Sequence, residues 1–369
     1  MSDREKKVPW WQPQLGQEEQ RLVLQVLDEN FPNEGYYSSL FEQKIAKLVG
    51  AKYAIAATSG TAAMFLSLKA LGIADGDEVI VPDMTFIATA NAVDMCSATP
   101  VLVDVDPNTL TIDPKAFKKA ITSKTKAVIP VHVTGRAADM KTILTVAEEY
   151  EIYVIEDAAE AFMSKYKGKH LGRFGKTGCF SFSPNKIITT GQGGIIVTDD
   201  DELHVRLREL KDQGRPVRGT GGDDIHHSRG YNFKFTNLQA ALGLGQLTYL
   251  DERMKRLVKT HEIYADRLSE LDGIEVLLFD TGEEELPLWT DVLIENRGKF
   301  IDHLKSLAID CRKFWHPIHT QKPYKLSNNN FPNSTHLASK ALWLPSAYTL
   351  VEDDINYVCD GIKSYFNDS

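Results

Sequence analysis

SFSPNKIITTGQGG, residues 181–194, sets a single lysine, Lys186, between an apolar strand-like run and a cluster of glycines. Short β-rich segments lie on either side, Cys179 to Ser183 before the lysine and Gly194 to Thr198 after it. A lone lysine is ordinarily a solvated surface residue. Here its neighbours alter that expectation. An amine becomes a Schiff-base nucleophile when desolvation or a nearby cation lowers its pKa from about 10.4. The glycines let backbone pass close to a ligand.

Outward from this segment, Lys52 to Thr198 alternates buried β-rich runs with helical patterns. Tyr53 to Ala57, Glu78 to Val81, Val101 to Val103, Ala127 to Val131 and Tyr153 to Ile155 read as strands. Asp113-Pro114 opens one helix, as an N-cap followed by a first-turn proline, and another is expected over Ala138 to Tyr150. Repeated strand–helix–strand units imply an α/β fold with a mainly parallel sheet covered on both faces. Ligands of such sheets bind beyond the carboxyl ends of the strands. Gly214 to Arg229 is a polar, glycine-rich loop. From Thr236 to about Leu271 the pattern is continuously helical, a spine leading into a smaller C-terminal α/β domain that ends in a helix around Ile355 to Tyr365. The expected division is residues 1–250, the large domain with its N-terminal segment, and 251–369, the small one.

At 369 residues the chain exceeds the size at which one core stops growing. Its 42 basic and 51 acidic residues, a formal charge of −9, give no general attraction for phosphate backbones, so nucleic acid is not an expected partner. Cys96, Cys179, Cys311 and Cys359 are scattered without a Cys-x-x-Cys pair, which indicates neither a zinc site nor a disulfide framework. Neither an apolar leader in Met1 to Pro13 nor a run of about 18 apolar residues is seen, so a cytoplasmic protein off the membrane is expected.

Three further elements bear on chemistry. In IEDAAEA, residues 155–161, Asp157 stands at the carboxyl end of an apolar strand. Alone it reads as a helix N-cap or loop acid; beside a pyridoxal ring it would hold a proton on the ring nitrogen, with small Ala159 leaving room for the ring. TSGTAA, residues 58–63, is a strand end running into a helix. Its free N–H groups suit a phosphate, though such turns are common. Phe86 could stack on an aromatic ligand or belong to the core.

The order and spacing of these elements resemble the sugar-aminotransferase family named after DegT and StrS, from about Pro13 to the last helix. The resemblance implies a pyridoxal 5′-phosphate (PLP) enzyme of fold type I. It implies that Lys186 carries the cofactor covalently, and that Asp157 pairs with the ring nitrogen. Gly60, Thr61, Ala62 and Ser181 would hold the phosphate, Phe86 would stack on the ring, and Glu160 would lie near its phenolic oxygen. Asn232, in GYNF, matches an asparagine that reaches the phosphate from the partner subunit of a homodimer. Glutamate would donate the amino group. Relatives that act as dehydratases carry histidine in place of the lysine, so Lys186 favours transamination.

NKIITT, GYN and the stretch Trp315-His316-Pro317-Ile318-His319 resemble the perosamine-synthase branch, which implies amination at C4 of a GDP-linked keto sugar for surface polysaccharide. His316 and His319 could contact the substrate or serve the structure. Two histidines with no third ligand make a poor metal site. The chain departs from relatives at Phe31 to Gly35, at Gln192, at Lys234 and at Thr134-Gly135-Arg136. Arg136 could face a substrate acid or lie at the surface. A ketone outside nucleotide sugars, or a PLP-binding regulatory role, are the competing functions.

Overall fold

A computed structural model of the chain describes residues 7–216 and 225–367. Residues 217–224 of the expected glycine-rich loop fall outside the described residues.

Seven strands build the central sheet: β1 (Tyr53–Ala57), β2 (Glu78–Pro82), β3 (Thr99–Val103), β4 (Thr125–Val128), β5 (Tyr153–Asp157), β8 (Thr177–Ser181) and β9 (Gly194–Thr198). Between β5 and β8 a small ribbon forms from β6 (Lys165–Tyr166) and β7 (Lys169–His170). The order across the sheet is β1-β9-β8-β5-β4-β2-β3. All neighbours are parallel except β9, which runs against both β1 and β8. The mainly parallel α/β sheet expected from the sequence is therefore present. Its inner strands are apolar on both faces, and every residue of β8 and β9 is buried.

Helices cover the sheet, and side chains in the sequence start them. Ser59 Oγ accepts the Ala62 N–H at the head of α3 (Gly60–Ala70). Asp113 accepts the Lys115 N–H ahead of Pro114 in α5 (Pro114–Ala120). Asp139 does the same for α6 (Met140–Glu149), and Asp200 for α7 (Asp201–Lys211). Ahead of the sheet come α1 (Gln17–Asp28) and α2 (Tyr36–Val49); α4 (Ala88–Asp94) follows β2.

Two expectations need adjustment. The strand expected to reach Val131 ends at Val128, short of Pro130, which has no N–H to give a ladder. The spine from Thr236 is two helices, α8 (Asn237–Leu247) and α9 (Leu250–Leu268), broken at Thr248-Tyr249.

Beyond α9 lies a second, four-stranded sheet in the order β10 (Ile274–Val276), β11 (Asp291–Ile294), β13 (Ala341–Trp343), β12 (Arg312–Lys313), all antiparallel. It packs with α10 (Arg297–Ser306) and α12 (Glu352–Asn367) around Phe300, Leu304, Val358 and Ile362. The N-terminal segment crosses to this part of the molecule: Val8 bonds the backbone of Ala308 and Asp310 at 3.0 and 2.9 Å. All four cysteines are unpaired, and no described helix is long and apolar enough to cross a membrane.

Candidate active site

Strand β5 ends in two adjacent acids that the pleat sends to opposite faces. Glu156 is a structural anchor. Its carboxylate accepts the N–H groups of Gly172, Phe174 and Gly175 at 2.8, 2.5 and 2.7 Å, and His132 Nε2 at 3.0 Å. The Ala138 N–H donates to His132 Nδ1, which leaves the ring proton on Nε2, facing Glu156. Asp157 turns the other way, into a cavity of about 510 Å³ at the carboxyl ends of the strands. It is held by the Thr89 hydroxyl at 2.8 Å and the Ala159 N–H at 3.1 Å. Burial pushes its carboxyl above the usual carboxylate range, against the pull of those two donors and of Lys186. An acid so placed, with no hydrogen bond from a charged group among the described residues, fits the protonated nitrogen of a pyridoxal ring.

Lys186 reaches the same cavity. Its Nζ lies 3.1 Å from Glu160 Oε1 and 4.9 Å from the centre of the Trp289 ring. Glu160 Oε2 accepts the Thr134 N–H at 2.9 Å, so the carboxylate is fixed before it meets the lysine. Burial raises the Glu160 pKa, and the ammonium of Lys186 opposes that shift. Phe86 is 52 % exposed, yet its exposed ring lines the cavity, an apolar face that a flat ligand would cover.

The turn expected to hold a phosphate borders the same cavity. The first amides of α3, at Gly60 and Thr61, have no intrahelical acceptor. Gly60 and Thr61 line the cavity with Ser181 and Ser183, whose hydroxyls lie 3.1 Å apart. Ala62, expected among the phosphate contacts, gives its N–H to Ser59. Gly194, at the start of β9, makes that turn possible. A Cβ there would stand 2.3 Å from the Ser59 carbonyl carbon and 2.5 Å from the Gly60 nitrogen. The residues present thus fit PLP: a lysine to bear it, an acid for its nitrogen, an aromatic face, and a turn of free N–H groups.

Two residues read as possible substrate contacts are engaged within the chain instead. Arg136 is buried and pairs with the chain's own Asp291 at 3.0 Å; it also donates to the carbonyls of Thr109, Leu277 and Leu278. His319 is fully buried, with Nδ1 2.6 Å from Asp83 Oδ2 and Nε2 3.2 Å from Asn328 Oδ1, and its ring stacks on Phe331. Neither lines the cavity. His316 is exposed and also outside the lining. In that same stretch the residue that does line the cavity is Trp315. Asn232 is exposed and pairs with Asp212 through a backbone bridge, away from this chain's cavity. Sequence reasoning missed Thr89, Trp289 and Arg312, the last of which stands in the cavity lining on β12. The spacing of Thr89 three residues after Phe86 was the available signal for the first.

The DegT/DnrJ/EryC1/StrS aminotransferase family model matches residues 13–363. The chain is 37 % identical over 368 residues to a GDP-perosamine synthase of Escherichia coli O157:H7, covering 98 % of this chain and 100 % of that one. It is 39 % identical over 354 residues to a GDP-perosamine synthase of Caulobacter vibrioides, covering 94 % and 95 %. Among solved structures, S. venezuelae DesV superimposes with a TM-score of 0.90 at 31 % identity, over 94 % of each chain. The chain belongs to the DegT/DnrJ/EryC1/StrS aminotransferase family, and its cofactor is pyridoxal 5′-phosphate.

Proposed function

We propose that this aminotransferase moves the amino group of glutamate onto the C4 ketone of a GDP-linked 4-keto-6-deoxy sugar, a step in making amino sugars for surface polysaccharide. The observation that carries this reading is the meeting of Lys186 Nζ and Glu160 Oε1 at 3.1 Å in a cavity that also holds Asp157. Two relatives similar over nearly the whole chain, both named GDP-perosamine synthase, support the substrate class.

Bound PLP supplies an electron sink that makes the hydrogen on the nitrogen-bearing carbon acidic. Asp157 keeps a proton on the ring nitrogen, and Thr89 and Ala159 fix the carboxylate for that task. Gly60, Thr61 and Ser181 would hold its phosphate, and Phe86 would stack against the ring. Lys186, once its Nζ is free, takes the proton from the substrate carbon and returns it. Glu160 and the Trp289 face keep that Nζ in place between the two half-reactions. Asn232, exposed and unused by its own chain's cavity, reaches the phosphate of a second copy in a homodimer.

The test is a product assay with PLP, glutamate and the 4-keto-6-deoxy hexose linked to GDP, UDP or dTDP. Mass spectrometry is expected to find the 4-amino sugar with GDP and little with the others. Amination of a free cyclic ketone, with no nucleotide sugar converted, would refute the substrate assignment.

A further inference from the structure

All five tryptophans of the chain, Trp10, Trp11, Trp289, Trp315 and Trp343, fall into one cluster. The ring of Trp289 lies 4.7 Å from Trp343, 5.4 Å from Trp10, 6.2 Å from Trp315 and 6.4 Å from Trp11. One side of this cluster touches Lys186. Another holds Arg312, whose guanidinium carbon lies 4.9 Å from the Trp10 ring and 5.5 Å from that of Trp343.

Among the described residues, four charged side chains line the cavity: Asp157, Glu160, Lys186 and Arg312. Lys186 and Glu160 are paired with each other, and Asp157 is bonded to Thr89 and Ala159. Arg312 alone has neither an ion pair nor a hydrogen bond among the described residues. Stacking on two indoles restrains the guanidinium plane while leaving its five N–H donors unused. In the adjoining cluster the buried indole N–H groups of Trp10 and Trp289 also find no acceptor among the described residues. Under the function proposed above, both incoming substrates bring what is missing: glutamate its carboxylates, the nucleotide sugar its diphosphate.

We infer that Arg312 is a specificity-determining residue that receives an oxyanion of the incoming substrate, the carboxylate of the amino donor or the diphosphate of the nucleotide. This rests on the proposed reaction. Its test reads binding by tryptophan emission, because every tryptophan lies in the cluster. The PLP-loaded enzyme is titrated separately with 2-oxoglutarate and with GDP, as wild type, Arg312→Gln, Arg312→Lys and the neighbouring control Lys313→Gln. Loss of a charge-assisted, two-pronged contact weakens binding about ten- to a hundredfold. Arg312→Gln is expected to lose that much for one probe, Arg312→Lys to recover part of it, and Lys313→Gln to match wild type. A loss confined to 2-oxoglutarate assigns the carboxylate; one confined to GDP assigns the diphosphate. If Arg312→Gln does not fold, Arg312→Met keeps the packing against the indoles and carries the same test. Unchanged affinity for both probes in a folded Arg312 variant overturns the inference alone. A wild type that binds neither probe removes the proposed reaction, and the inference with it.

Discussion

Asp157→Asn should move the stability of the empty and loaded protein in opposite directions. In the empty protein Asp157 is a buried acid whose pKa is raised, with burial the largest cause. An acid whose folded pKa exceeds its unfolded value costs stability as pH climbs above the unfolded value, here near 3.8, and the cost is complete above the folded one. Asparagine removes the charge and keeps the local bonds. Its carbonyl accepts the Ala159 N–H, its amide donates to Thr89 Oγ1, and the Thr89 hydroxyl proton turns to the Phe86 carbonyl, 3.3 Å away. Relieving a poorly compensated buried polar group is worth about 1–3 kcal/mol. At about 2.1 cal/mol/K per residue over 369 residues, that raises the melting temperature of the empty protein by roughly 1–4 °C at pH 7. The gain should vanish as pH falls through 3.8, where wild-type Asp157 is protonated in both states. Loaded protein should behave oppositely, because losing the charged partner of the ring nitrogen weakens PLP about ten- to a hundredfold. Differential scanning fluorimetry with and without PLP, at pH 7 and pH 4, reads both effects. An empty Asp157→Asn protein that melts below wild type at pH 7, or one that binds PLP as tightly, would refute the reasoning.

Two further perturbations probe the scaffold. Gly194→Ala places a methyl against the Ser59 and Gly60 backbone, which must shift; overpacking of about 1–3 kcal/mol is expected, with PLP affinity falling about tenfold while the fold persists, as read by cofactor titration and circular dichroism. Arg136→Leu strands the buried Asp291 carboxylate, so urea unfolding should show a loss of about 3–5 kcal/mol. Adding Asp291→Asn to it should restore part of that loss, whereas simple additivity of the two changes would argue against a coupled pair.

What could be read in the sequence was local. Tyr53–Ala57 and Gly194–Thr198 are strands with the residues expected, because apolar runs bounded by turns need no distant information. Lys186 and Asp157 could be singled out for a related reason, and they do line one cavity: each ends or follows a buried strand, where an α/β sheet opens its ligand site. For His319 and Arg136 the sequence left a substrate contact and a role within the protein both open, because a motif displays residue types but not their partners. Asp83 lies 236 positions before His319, and Asp291 lies 155 after Arg136. Arg136 ties β11 of the second sheet to the loop after β4, and His319 ties the stretch after β12 to the end of β2, which leaves the cavity wall to Trp315 and Arg312. The break between α8 and α9 falls at Thr248-Tyr249, with neither proline nor glycine to mark it.

The central claim is that Lys186 bears the cofactor. Borohydride reduction of the PLP-loaded protein, followed by proteolysis and mass spectrometry, tests it directly. The account predicts a phosphopyridoxyl mass on the peptide containing Lys186 and on no other lysine, and no such mass anywhere in Lys186→Ala. The tag on a different lysine, or a Lys186→Ala protein labelled like wild type, would contradict it.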